Sequence, residues 1–266
     1  MEPAEVLERV DQYMNAGKDL AEKLVQRTPT LRAKGRTDIA HKSAMLFFFA
    51  KAYKTYQALH VLLSAGFEED GLILVRSLYE IMLQCRYMAE DPERHAQQFL
   101  KFDPVSTWRW YEKLCRANPR FAQSLAPESL GDLERTKVLY DRYSSEFPKT
   151  GHHWWGMSLA SLAKHVDQGT GESPTYGWYV GAYHQYSEMV HSGVTSAKGY
   201  LLKGVHATYV ACYPRFTQKA AMPAQDATLY FIDVVGLASE ALGVDLKCEL
   251  KRALEEYGRL SAVRAT

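Results

Sequence analysis

The chain has 266 residues, a net charge of +1 and 47% hydrophobic residues, enough for one large domain or two small ones around a sizeable core. A charge this close to zero excludes a global pull toward nucleic acid, anionic membranes or acidic substrates. The four cysteines (Cys85, Cys115, Cys212 and Cys248) are far apart and form no Cys-x-x-Cys pair, which argues for reduced thiols in a cytoplasmic protein and against a structural zinc site.

The N-terminus MEPAEVLERV is acidic and amphipathic, unlike a signal peptide. Val6, Val10, Tyr13, Leu20 and Leu24 predict a first helix over residues 3–26, with Pro3 in its first turn. Residues 27–42 then form a locally basic stretch, with Arg27, Arg32, Lys34, Arg36 and Lys42 against Asp38. It reads either as a solvated linker or as a phosphate-contacting edge. Asp38 is the expected N-cap of a second helix that stops at Gly66. Its AMLFFFAKA run over residues 44–52 is too short to span a bilayer, so no membrane contact is expected. The short link GFEED leads into a third helix, so the two should form a long antiparallel hairpin.

That third helix, GLILVRSLYEIMLQCRYMAE over residues 71–90, is apolar almost all round and is expected at the centre of the fold. One polar line interrupts it: Arg76, Glu80 and Gln84, four residues apart on one side. Charges on a mostly buried helix must be paired or hydrogen-bonded. The pair reads either as an arginine held in a fixed direction by a carboxylate, ready for a phosphate or carboxylate, or as a structural ion pair.

Asp91-Pro92 should end the central helix. Residues 93–117 are helical, with Pro104 expected to kink or split them. Residues 128–147 and 158–166 are two further helices, separated by a loop carrying His152, His153, Trp154 and Trp155. That loop is either an aromatic anchor or a place where a metal is gripped or a base stacks. After the linker DQGTGESP, residues 176–191 (YGWYVGAYHQYSEMVH) step Tyr176, Tyr179, Tyr183 and Tyr186 along one side and His184, Ser187, Glu188 and His191 along another. Residues 200–213 read as a helix or an irregular strap, and residues 223–242 and 244–260 as two closing helices hinged at Gly243. No alternating run long enough for a sheet is seen. The expected fold is an all-α, single-domain bundle of about eight or nine helices.

Three chemistries fit the second polar line. Glu188-x-x-His191 has the spacing of di-metal carboxylate bundles, but no second such pair exists and Asp38–His41 is a weak substitute. No metal or cofactor is therefore expected. His191 suits proton transfer near neutrality, or it is simply a hydrogen-bonded histidine at a helix end. No nucleophile motif, phosphate-binding glycine loop or zinc-ligand spacing is present.

RSLYE at residues 76–80, DPE at 91–93, HWWGMSLASLAKHV at 153–166 with its preceding His152, and YHQYSEMVHSG at 183–193 together resemble an uncharacterised, mostly prokaryotic helical family, domain of unknown function 5677, over about residues 40–210. The resemblance implies that Arg76, Glu80, Ser187 and His191 are its characteristic polar positions. More remotely, the last motif resembles the arginine–spacer–histidine signature of HEPN-type ribonucleases, helical bundles of toxin and phage-defence systems. There an arginine holds the scissile phosphate and a histidine moves the ribose 2′-hydroxyl proton without metal. The histidine matches His191, but His184 stands where the arginine would fall, so a cation such as Arg76 would have to reach the same spot.

Three expectations follow. A HEPN-like module acting on RNA places Arg76, Glu80 and His191 in an open, positively charged cleft at a homodimer interface. A non-enzymatic binding or adaptor protein has the same cluster buried and mutually satisfied. A small-ligand bundle has an enclosed pocket lined by Tyr179, Tyr183, Trp154 and Trp155.

Overall fold

The computed structural model describes residues 3–28, 35–120, 127–149, 153–168, 174–190, 201–203, 209–211 and 220–262. In chain order its elements are α1 (Pro3–Arg27), α2 (Arg36–Ser64), α3 (Glu68–Glu90), α4 (Pro92–Ala117), α5 (Pro127–Tyr143) with a 3-10 turn (Ser144–Glu146), α6 (Leu159–Val166), α7 (Pro174–Trp178), a π-helical turn (Tyr179–Tyr183), α8 (His184–Val190), β1 (Leu201–Lys203), β2 (Tyr209–Ala211), α9 (Ala221–Leu242) and α10 (Lys247–Ala262). With α7, the π turn and α8 taken as one rod, nine helices lie among the described residues, and the fold is an all-α bundle.

The hairpin of α2 and α3 is set by its turn. Gly66 takes the left-handed conformation at φ 80°. Its N–H donates to the Leu63 carbonyl (3.1 Å) and the Phe67 N–H to the Leu62 carbonyl (2.9 Å), the paired bonds of a Schellman stop. Helix α3 starts at once, with Glu68, Glu69 and Asp70 at its positively polarised end. Gly71 lets the two helices close: a Cβ there would stand 2.9 Å from Leu59 Cδ1 and 3.1 Å from Leu63 Cδ2.

Helix α9 packs on both arms of the hairpin, and α1 packs on α2 and α9, giving a four-helix core. Val75, Leu78, Met82 and Leu83 from α3 meet Phe48, Leu59, Phe231 and Val234, all buried. Burial of such side chains contributes roughly 1.5–3 kcal/mol each. Helix α4 lies on α2 with α5 outside it, α6 and α8 lie on α3, and α10 lies on α1 and α9. The closing helices therefore complete the core: α9 is its fourth member, and Gly243 (φ 70°) stops it with a second Schellman pair.

Four expectations are corrected. Asp38 is not the N-cap of α2, which begins two residues earlier after Gly35; Asp38 sits in the first turn and pairs with Lys42 at 3.0 Å. Pro104 does not split α4, which runs unbroken through it. The carbonyl left without a partner four residues back is one lost bond, and packing against α2 and α5 holds both sides of it. Residues 200–213 contain two antiparallel three-residue strands, Leu201 opposite Ala211 and Lys203 opposite Tyr209; strands this short carry too little alternation to read. Within α3, Ile73 is exposed rather than buried.

Candidate functional site

The polar line of α3 faces α8. At about 100° per residue, positions four apart stay on one side, so Arg76 and Glu80 stack and their side chains meet, Nε to Oε1 at 3.2 Å. Tyr183, delivered by the π turn, closes a triangle. Its hydroxyl accepts from Arg76 Nε at 2.9 Å and donates to Glu80 Oε1 at 2.8 Å. Arg76 Nη1 also donates to Ser187 Oγ at 3.4 Å, and the guanidinium carbon lies 4.9 Å from the centre of the Tyr183 ring. One turn on, Gln84 donates to the Glu80 carbonyl (3.2 Å) and accepts from Trp154 Nε1 (3.0 Å). The site is half-buried: 23% of the Arg76 side chain and 34% of Glu80 stay exposed.

The electrostatics follow from the triangle. Burial works against the Arg76 charge, but Tyr183 and Glu80 outweigh it and raise the Arg76 pKa. Burial and the neighbouring Glu80 carboxylate push the Tyr183 phenol up, against the opposing pull of Arg76. Tyr183 is thus held as a neutral donor. Every hydrogen bond to Arg76 falls on Nε or Nη1, and no described residue takes Nη2. The outer edge of a fixed guanidinium is an oriented donor for an anion.

Of the residues singled out from the sequence, Arg76, Glu80, Tyr183 and Ser187 come together, and Tyr179 stacks on Tyr183 with ring centres 5.2 Å apart. His184 lies exposed on α8, outside the triangle. Trp154 and Trp155 are buried in the core cluster, and His153 lies flat on Trp155 at 4.3 Å. His152 and His191 lie outside the described residues. Among the described residues no group of three or more histidines, cysteines or carboxylates stands where it could hold a metal ion, and no helix is long and apolar enough to cross a membrane.

Sequence reasoning missed a second polar set that anchors the rod to the bundle. Arg86 donates from Nε to Asp233 (2.6 Å) and from Nη1 to Thr175 Oγ1 (2.9 Å). Tyr79 donates to the Thr175 carbonyl (2.8 Å). Asp167 accepts from the backbone N–H of Thr175 (3.4 Å) and Tyr176 (2.9 Å), tying down the start of α7. The one signal in the sequence was an arginine amid the apolar residues of α3; its partners are too far along the chain for spacing to reveal. A cleft of about 350 Å³ opens beside Arg86 and Asp233, walled by Met82, Trp178, Leu250 and Leu254. None of Tyr179, Tyr183, Trp154 and Trp155 lines it.

No curated protein and no solved structure matches the chain. The model of a family of unknown function, DUF5677, matches residues 42–205, a span that begins in α2, ends beyond β1 and contains the whole Arg76–Glu80–Tyr183–Ser187 cluster. That match covers more than half of the chain, which therefore belongs to the DUF5677 family of unknown function.

Proposed function

We propose that this protein is a HEPN-like RNA-processing module of toxin or defence type, acting without metal in a prokaryotic cytoplasm as a homodimer. The observation that carries the reading is the held guanidinium of Arg76, fixed on one edge by Glu80 and Tyr183 and bonded by no described residue at Nη2. Arg76 binds the scissile phosphate; Glu80 and Tyr183 position it; Ser187 steadies the far side. His191, four residues beyond Ser187, accepts the proton of the ribose 2′-hydroxyl. The 2′-oxygen forms a bond to phosphorus, the bond from phosphorus to the 5′-oxygen breaks, and the leaving oxygen takes a proton from solvent.

A second reading is favoured by the closure of the same triangle. If Arg76, Glu80 and Tyr183 only clamp the rod to α3, the protein is a non-enzymatic helical binding or adaptor module. Incubation of structured RNA with purified protein in chelator separates the two. Cleavage by wild type that is lost in both Arg76→Ala and His191→Ala, with circular dichroism unchanged, is the expected result. Inert wild-type protein, with a lowered melting temperature for Arg76→Ala, moves the function to the adaptor.

A further inference from the structure

The rod made by α7, the π turn and α8 carries a line of parallel tyrosines that ends in a cation on each side. Tyr176 stacks on Tyr179 with centres 6.0 Å apart and planes 13° apart, and Tyr179 on Tyr183 at 5.2 Å and 20°. The ammonium of Lys164, an exposed residue of α6, lies 4.5 Å from the centre of the Tyr176 ring. At the other end Arg76 lies 4.9 Å from the centre of Tyr183. The sequence of groups is therefore cation, three rings, cation.

Two features make this line more than internal packing. All three rings are only partly buried, and their separations are those of offset stacking, which leaves part of each face uncovered. Glu80 offsets the Arg76 charge, but no described residue bonds Arg76 Nη2, and Lys164 is an exposed residue, so each end of the line keeps a donor for an anion. The π turn places Tyr179 and Tyr183 in one stack, and such turns recur at functional sites.

We propose that this ladder seats single-stranded polynucleotide, with bases on the tyrosine faces and backbone phosphates at Lys164 and at the outer edge of Arg76. Ring faces accept any base, and flanking cations track the backbone, which is the chemistry of sequence-tolerant single-strand binding. A duplex keeps its bases stacked inside and cannot use the rings. The proposal deepens the RNA-processing reading and rests on it for the placement of the scissile phosphate at Arg76.

The test is an anisotropy titration of labelled oligo(U), and of a duplex of the same length, with the full chain. Wild type should bind oligo(U) more tightly than the duplex. Tyr179→Leu should weaken oligo(U) binding by about 10-fold or more, the loss of one stacking ring, while Tyr179→Phe binds like wild type. Lys164→Gln should weaken binding and lower the slope of log affinity against log salt by about one. Unchanged oligo(U) affinity in Tyr179→Leu, with folding intact by circular dichroism, overturns the ladder; so does a wild type that prefers duplex or binds neither. The RNA cleavage assay keeps the two ideas apart. Ring-dependent binding without cleavage leaves the ladder standing and removes the nuclease. Cleavage with an unchanged KM in Tyr179→Leu removes the ladder and leaves the nuclease.

Discussion

Two of the hydrogen-bonded networks that cross the bundle are built on opposite principles. Between α1, α2 and α9, the Tyr56 hydroxyl donates to the Tyr13 carbonyl (3.1 Å) and lies 2.7 Å from the Thr228 hydroxyl. All three residues are buried and none is charged. Between α3 and the rod, Arg76, Glu80 and Tyr183 use two formal charges and keep a window to solvent. The neutral network can be dry because each group gives up only one or two bonds to water and regains them. The charged one could not be sealed without a steep desolvation cost. The first region is neutral and sealed, and the second is charged and open to water.

Substitutions sharpen that contrast. Tyr56→Ala should cost the most, about 3–5 kcal/mol, because a large buried ring leaves a cavity beside Phe231, whose ring centre lies 4.3 Å away. Tyr56→Phe keeps the ring and should cost about 1–3 kcal/mol for the partners left unbonded. Urea unfolding followed by circular dichroism measures both, and near-zero costs would erase the distinction between the regions. Arg76→Ala should cost less, about 1–2 kcal/mol, since water reaches Glu80 and replaces part of what is lost; the same unfolding experiment reads it.

A separate effect, confined to alkaline solution, is set by pH. Burial, first of all, raises the pKa of Tyr56, Tyr79 and Tyr230 above the ordinary phenol value of 10.0. The folded chain then holds these protons more tightly than the unfolded one. Their contribution is complete below about pH 10 and is lost progressively as the pH rises from there toward the folded values. Melting temperature should fall across that window, and Tyr56→Phe should fall less steeply than wild type. A flat profile would mean that these three phenols are wetter than their burial indicates.

The hairpin was legible because its signals are local: Gly66 as the stop, the acidic first turn of α3, and an apolar run with a single polar line. Arg76 with Glu80 was legible for the same reason, being four residues apart. What closes that pair was seen less sharply. The sequence reading set His191 against them, and the described partner is Tyr183, more than a hundred residues away. The Tyr13–Tyr56–Thr228 network left no trace at all, because neutral residues scattered over three helices have neither charge nor spacing to betray them. Arg86, Asp233 and Thr175 were hidden by the same distance along the chain.

The π turn of Tyr179–Tyr183 has a consequence for how this site tolerates change in length. A π turn is an α-helix with one residue inserted, and one residue is worth about 100° of helical phase. Deleting a single residue there would let the rod run as uninterrupted α-helix with His184–Val190 near their present phase, because the wide turn absorbs the extra residue. A deletion elsewhere in the rod has no such buffer: between Tyr183 and Ser187 it would swing Ser187 by about 100°, away from Arg76. The site is thus indexed by a one-residue count, and the π turn is the place in the rod where that count can change at little cost.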